Sequence, residues 1–173
     1  MKKAVASKKI SAPLVADRSL VSRMQWIALG WGAMIIWVVV FTYIVKLLDI
    51  GLPKPMPGLE GLFEAAPEHM PAYYTFMACL IAPLWEEGLF RHFPLKYISK
   101  HKPDALLTVA MISSLIFGFM HGDGARSVML QGVHGMILAY IYIKNGCNYW
   151  SNVALHSLYN LSVTILLPGV FSA

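Results

Sequence analysis

The sequence predicts an all-α protein, a polytopic transmembrane bundle of about five membrane helices. Three observations predict it. First, the 173 residues are 57% hydrophobic and only 13% charged, against about 45–50% apolar and about 25% charged in an ordinary soluble domain. Second, residues 24–45 contain no Asp, Glu, Lys or Arg, which suffices for a hydrocarbon core that takes roughly 20 helical residues to cross. Third, the basic residues alternate between the two sets of flanks that five crossings define. Eleven fall on the N-terminal side and three (Lys46, Lys54, Arg126) on the other. Because Lys and Arg accumulate on the cytoplasmic side of short loops, this places the N-terminus in the cytoplasm and the C-terminus outside. In a bacterial host the protein then lies in the cell membrane.

The elements follow in order. Residues 1–23 form a basic cytoplasmic segment with Lys2, Lys3, Lys8, Lys9, Arg18 and Arg23. Residues 24–48 form the first transmembrane helix. A cleaved signal peptide is the competing reading, but the apolar run is too long for an h-region and no small-x-small site follows it. Residues 49–71 are a Pro/Gly-rich loop, with five prolines and three glycines over 51–71 and a short interfacial helix expected over 59–66. Residues 72–167 form the membrane core and 168–173 a short tail. Within the core, four further segments are expected at about 72–98, 104–121, 126–143 and 148–167. The second would be too short to span if it ended at Trp85. It must run on through Leu89, Phe90 and Phe93, past the weakness that Pro94 introduces by removing a backbone donor.

That extension places Glu86, Glu87 and Arg91 inside a membrane helix, where a charged residue costs at least ~2.5–3.5 kcal/mol and is read as functional by default. Glu87 and Arg91 are four apart, so they share a face and pair. Glu86 points about 100° away and is left for chemistry. The bland alternative is that all three snorkel to the headgroups and end a short helix. The other segments weigh against it. His121 follows Phe117 in IFGFMH, and His156 and Asn160 are four apart in LHSLYN. Counting from the inner ends, Glu86 and Asn160 lie about 18 Å up, His156 about 12 Å and His121 about 27 Å. A meeting near mid-membrane therefore requires tilt or offset for His121. His134, between Gly132 and Gly135, reads as structural, with glycines for close helix packing. His69, His92 and His101 read as solvated or interfacial, and Asp123 as a possible orienting partner of His121. The net charge of +5 is explained by topology. No aromatic-basic surface for nucleic acid is present, and Cys79 and Cys147 make neither a CxxC nor a disulfide framework.

These motifs, in this order, resemble the CPBP family (CAAX proteases and bacteriocin-processing enzymes, also called Abi). The family pattern is EExxxR, then FxxxH, then HxxxN or HxxxD. Here it stands as Glu86-Glu87-Gly88-Leu89-Phe90-Arg91, Phe117-Gly118-Phe119-Met120-His121 and His156-Ser157-Leu158-Tyr159-Asn160, and the likeness covers about 72–165. His92 stands where many members have glycine, and one helix precedes the motifs where many members have several. The resemblance implies an intramembrane endopeptidase acting on a membrane-associated peptide or protein. The residues suit that chemistry, which needs an activated water, an oxyanion site and a proton for the leaving amine. Glu86 can take and return the proton, His121 can share the water, and His156 and Asn160 can donate to the oxyanion. Glu87 and Arg91 support them. The resemblance also implies a metalloprotease reading, with Glu86, His121 and His156 as ligands of a catalytic zinc. No HExxH supports it, and water activation without a metal is preferred. The rivals are a non-catalytic bacteriocin-immunity or peptide-binding protein of the same family, a proton-relay transporter, and a purely structural subunit. Substrate identity, prenylated or not, and oligomeric state are not readable.

Overall fold

The computed structural model describes residues 18–50, 71–122 and 124–166. The basic segment through residue 17, the loop 51–70 with its expected interfacial helix, His69, Asp123 and the tail 167–173 lie outside the described residues. Among the described residues the regular structure is helical, with no strand. Five helices follow one another: α1 (Leu20–Leu47), α2 (71–101), α3 (Leu106–Phe119, led in by a 3₁₀ turn at Pro103–Ala105), α4 (124–144) and α5 (Tyr149–Leu166).

Helix α1 starts where Ser19 Oγ accepts the Ser22 amide, a side-chain cap on one of the orphan N–H groups of a first turn. It buries one stripe (Gly30, Met34, Val38, Phe41, Val45) against Leu138 and Ile141 of α4 and Leu155 and Tyr159 of α5. Three polar ties fix its register. Trp31 Nε1 donates to Ser162 Oγ (2.9 Å), Trp37 Nε1 to the Leu130 carbonyl (3.1 Å), and His134 Nε2 to the Met34 carbonyl (3.2 Å). The Tyr159 hydroxyl lies 3.3 Å from His134 Nδ1, so His134 links α1, α4 and α5. A second apolar cluster joins Leu95 of α2, Leu106 and Ala110 of α3, and Ala139 and Tyr142 of α4.

Helix α2 continues through its two interior prolines, Pro83 and Pro94, but not as a regular α-helix. It widens to π geometry at Met77–Ile81 and Gly88–His92, single-turn bulges of the kind common at functional sites. The Ala82 amide bonds the Met77 carbonyl and the Phe93 amide the Gly88 carbonyl, each five residues back. In that register Pro83 has no N–H for Ala78, and Pro94 has none for the turn before it. Side chains from other helices serve these carbonyls. Asn160 Nδ2 donates to Ala78 O (2.8 Å), and Ser113 Oγ donates to Phe90 O.

Helices α3 and α4 approach closely at glycines. A Cβ on Gly118 would lie 2.8 Å from the Gly132 nitrogen and 2.9 Å from Val128 Cα, against the third π turn, Val128–Gly132. Ser127 Oγ donates to the Gly118 carbonyl at 2.7 Å, adding a strong donor at the end of α3, where the His121 amide also reaches that oxygen at 3.3 Å. The α4–α5 turn uses positive φ at Gly146 (73°) and Cys147 (55°). Asn148 Oδ1 then accepts the Ser151 amide at 2.8 Å, capping α5 and setting the phase of its polar face.

Of the five expected membrane segments, one helix among the described residues, Leu20–Leu47, is long and apolar enough to cross a membrane by itself, an 18-residue stretch of it having a mean hydropathy of 2.1. Pro103–Phe119 is apolar but shorter. The others trade apolar residues for the polar groups described next.

Candidate active site

Glu86 and Glu87 are adjacent but enter different environments. Glu87 is fully buried and is a hub for three donors. Arg91 Nη1 donates to its Oε1 at 3.3 Å, one turn on. His156 Nδ1 lies on the same oxygen at 2.9 Å, and Asn152 Nδ2 donates to Oε2. Arg91 is also fully buried, and its guanidinium lies over the Phe117 ring, 4.2 Å from the centroid, a cation–π contact that compensates a desolvated cation. The space for it is made by Gly135, where a Cβ would stand 3.0 Å from Arg91 Nη2 and 3.2 Å from Phe117 Cδ1.

Glu86, by contrast, keeps 23% of its side chain exposed. Its Oε1 lies 3.5 Å from His121 Nε2, and its Oε2 lies 3.6 Å from His156 Nε2. The two histidines come from elsewhere in the chain. His156 projects from the middle of α5. His121 follows the end of α3, in the turn after Phe119, with its amide on the Gly118 carbonyl (3.3 Å). Its Nδ1 donates to the Phe117 carbonyl at 2.7 Å. A carbonyl only accepts, so Nδ1 carries the hydrogen and Nε2 is the nitrogen presented to Glu86. Phe117 backs the site, with its ring 4.1 Å from that of His121 and 6.0 Å from that of His156.

The structure therefore brings Glu86, His121 and His156 together and places Glu87 and Arg91 behind them. Asn160 lies on α5 one turn beyond His156, its described hydrogen bond going to the Ala78 carbonyl rather than to the Glu86 cluster. His134 is buried in the α1–α4–α5 contact. His92 is half-buried, with Nδ1 3.0 Å from the Tyr142 hydroxyl, and His101 is exposed and stacked on Tyr97. Sequence reading missed Asn152. The signal was present, a polar residue four before His156 and so on its face of α5. A separate groove of 580 Å³, lined in part by Trp85, Leu89, His92 and Tyr149, contains none of the three clustered residues.

His121 Nε2 faces one oxygen of Glu86 and His156 Nε2 the other. Among the described residues no group of three or more His, Cys, Asp and Glu is arranged to hold a metal. The residues as placed do not fit a zinc site, and no chemical step is routed through one.

An all-helical scaffold that buries a Glu–Arg pair and presents a glutamate between two histidines defines a class of protein built around a polar centre inside an apolar bundle. A family model, Type II CAAX prenyl endopeptidase Rce1-like, matches residues 68–162, which is more than half of the chain and includes every residue of the cluster. The chain belongs to this membrane-embedded protease family. No curated protein and no solved structure matches it.

Proposed function

We propose that this protein is an intramembrane endopeptidase that hydrolyses a peptide bond of a membrane-associated protein or peptide, using water activated by Glu86 and His121. The observation that carries the reading is Glu86 itself: a partly exposed carboxylate between two histidine Nε2 atoms, 3.5 and 3.6 Å away, supplied by three helical segments. Glu86 Oε1 and the Nε2 of His121 that carries no hydrogen both accept, so a water entering the partly open space can donate to each. Glu86 takes its proton as the oxygen attacks the scissile carbonyl, then delivers that proton to the departing amine. Donation to the developing oxyanion falls to His156 through Nε2, and that form of the ring is the imidazolium, because its Nδ1 hydrogen is engaged by Glu87. An amide carries two donor hydrogens, so Asn160 has a second one for the oxyanion while the first stays on Ala78.

The bundle's surface supports a multi-pass membrane protein. Trp85, Phe93, Leu107 and Tyr43 are 77%, 71%, 69% and 68% exposed, whereas Glu87, Arg91 and Asn152 are 0% exposed. Apolar outside and polar inside is the arrangement that lipid imposes. We infer five crossings, with the N-terminus cytoplasmic and the C-terminus outside.

Substrate-trapping mass spectrometry on membranes containing wild type or Glu86→Gln tests the reading. A protease yields cleaved products with wild type and accumulates intact, co-purifying substrate with Glu86→Gln. A peptide-binding or immunity protein gives the same captured partners and the same phenotype with both. Cleavage is expected to survive a zinc chelator. Loss on chelation, with recovery on adding zinc back, would overturn the metal-free step.

A further inference from the structure

We propose that Asn152 is a positioning residue: acting through Glu87, it holds the proton-bearing Nδ1 of His156 and so aims His156 Nε2 at Glu86. The geometry of this chain carries the inference. It rests on the hydrolytic reading only for what it predicts about turnover.

Glu87 accepts from three donors, and they divide between its oxygens. Oε1 takes His156 Nδ1 (2.9 Å) and Arg91 Nη1 (3.3 Å), and Oε2 takes Asn152 Nδ2. The terminal torsion of a glutamate is broad, so a carboxylate held on one oxygen alone can turn. Asn152 removes that freedom. It is four residues before His156, so one face of α5 carries both the histidine and the group that fixes the histidine's partner. A carboxylate without a proton only accepts, which identifies the atom of Asn152 facing Glu87 as Nδ2 and requires a hydrogen on His156 Nδ1. With Nδ1 committed, Nε2 is the atom that meets Glu86 and the reacting groups. This is the logic by which a buried carboxylate fixes the tautomer and orientation of a histidine in hydrolytic triads.

A purely structural role fits Asn152 less well. The residue is fully buried, and its Oδ1 has no hydrogen-bonding partner among the described residues. Half of this amide's capacity is therefore unused in the interior, a cost that an isosteric leucine avoids. The residue's one described side-chain hydrogen bond is the one to Glu87.

The test uses the full-length protein in lipid nanodiscs, labelled with ¹⁵N-histidine, with the His156 signals assigned by their loss in His156→Gln. Wild type is expected to carry a proton on His156 Nδ1. In Asn152→Leu the tautomer with the proton on Nε2 alone is expected to emerge, and the yield of cleaved products to fall about 10–100-fold, by analogy with the loss of outer partners of metal-binding histidines. A bare Nδ1 on His156 in wild type overturns the proposal, and that measurement needs no variant. An unchanged His156 tautomer in Asn152→Leu also overturns it, even if cleavage falls, because the residue is then only scaffolding. If the leucine variant does not fold, Asn152→Ala, smaller and also lacking the donor, is read in the same way. Failure of the hydrolytic reading is distinct: wild type then cleaves nothing, whatever its tautomer.

Discussion

Glu86 and Glu87 show how one residue of offset separates two roles. Residue 87 looks inward to Arg91, Asn152 and His156, and residue 86 looks to the partly open space between His121 and His156. The Glu87–Arg91 pair was legible in the sequence because i,i+4 spacing is a local property. Asn152 was legible only as a polar residue on the His156 face; the Glu87 it binds comes from another helix, which no local spacing shows. His121 was half legible. Rise per residue gives height along one helix but not the offset between helices, so the count placed it too high, whereas the structure sets it 3.5 Å from Glu86. Removing one partner of a buried pair leaves an uncompensated charge. Arg91→Leu is therefore expected to destabilise the fold by about 3–5 kcal/mol, read as reversible unfolding in detergent. A loss under about 1 kcal/mol would mean that the pair behaves like an exposed one.

At the scale of the element, the sequence made the helices and most of their ends readable, since apolar runs and Pro/Gly punctuation are local. The expected 72–98, 104–121, 126–143 and 148–167 stand against helices at 71–101, Leu106–Phe119, 124–144 and Tyr149–Leu166. The irregularities inside them were not readable. Pro94 was expected to weaken α2, and the helix instead passes it with a π turn and a Ser113 hydroxyl on the Phe90 carbonyl. The bulge and its remedy depend on a serine of α3. A close backbone-to-backbone contact between elements is Gly118 against Gly132 and Val128. The atoms in the way are backbone, which cannot rotate aside, so Gly118→Ala is expected to cost about 1–3 kcal/mol. It should also lower activity, because α3 positions His121. Thermal unfolding of the purified variant checks the first and product yield the second, and wild-type values in both would show that α3 and α4 separate easily.

For the whole molecule, the family was legible from three short motifs because each carries polar residues that an apolar bundle has little other reason to hold. The number of crossings was less so. Among the described residues only α1 is long and apolar enough to cross by itself. Helix α2 carries Glu86, Glu87, Arg91 and His92, and α5 carries Asn152, His156 and Asn160, so the helices that build the site are those whose hydropathy it lowers. The five-crossing proposal predicts opposite locations for the ends. Reporter fusions should be active in the cytoplasm at the N-terminus and outside at the C-terminus, and two ends on one side would require an even number of crossings.

The central claim is that Glu86 activates water for peptide hydrolysis, and its most direct test is quantitative N-terminal proteomics of membranes expressing wild type or Glu86→Gln at equal levels. Removing the group that moves the proton is expected to reduce product by at least about 10²-fold, with wild type producing new N-termini that are absent from the variant. Identical N-terminal profiles, with both proteins folded and present in equal amounts, would contradict the account.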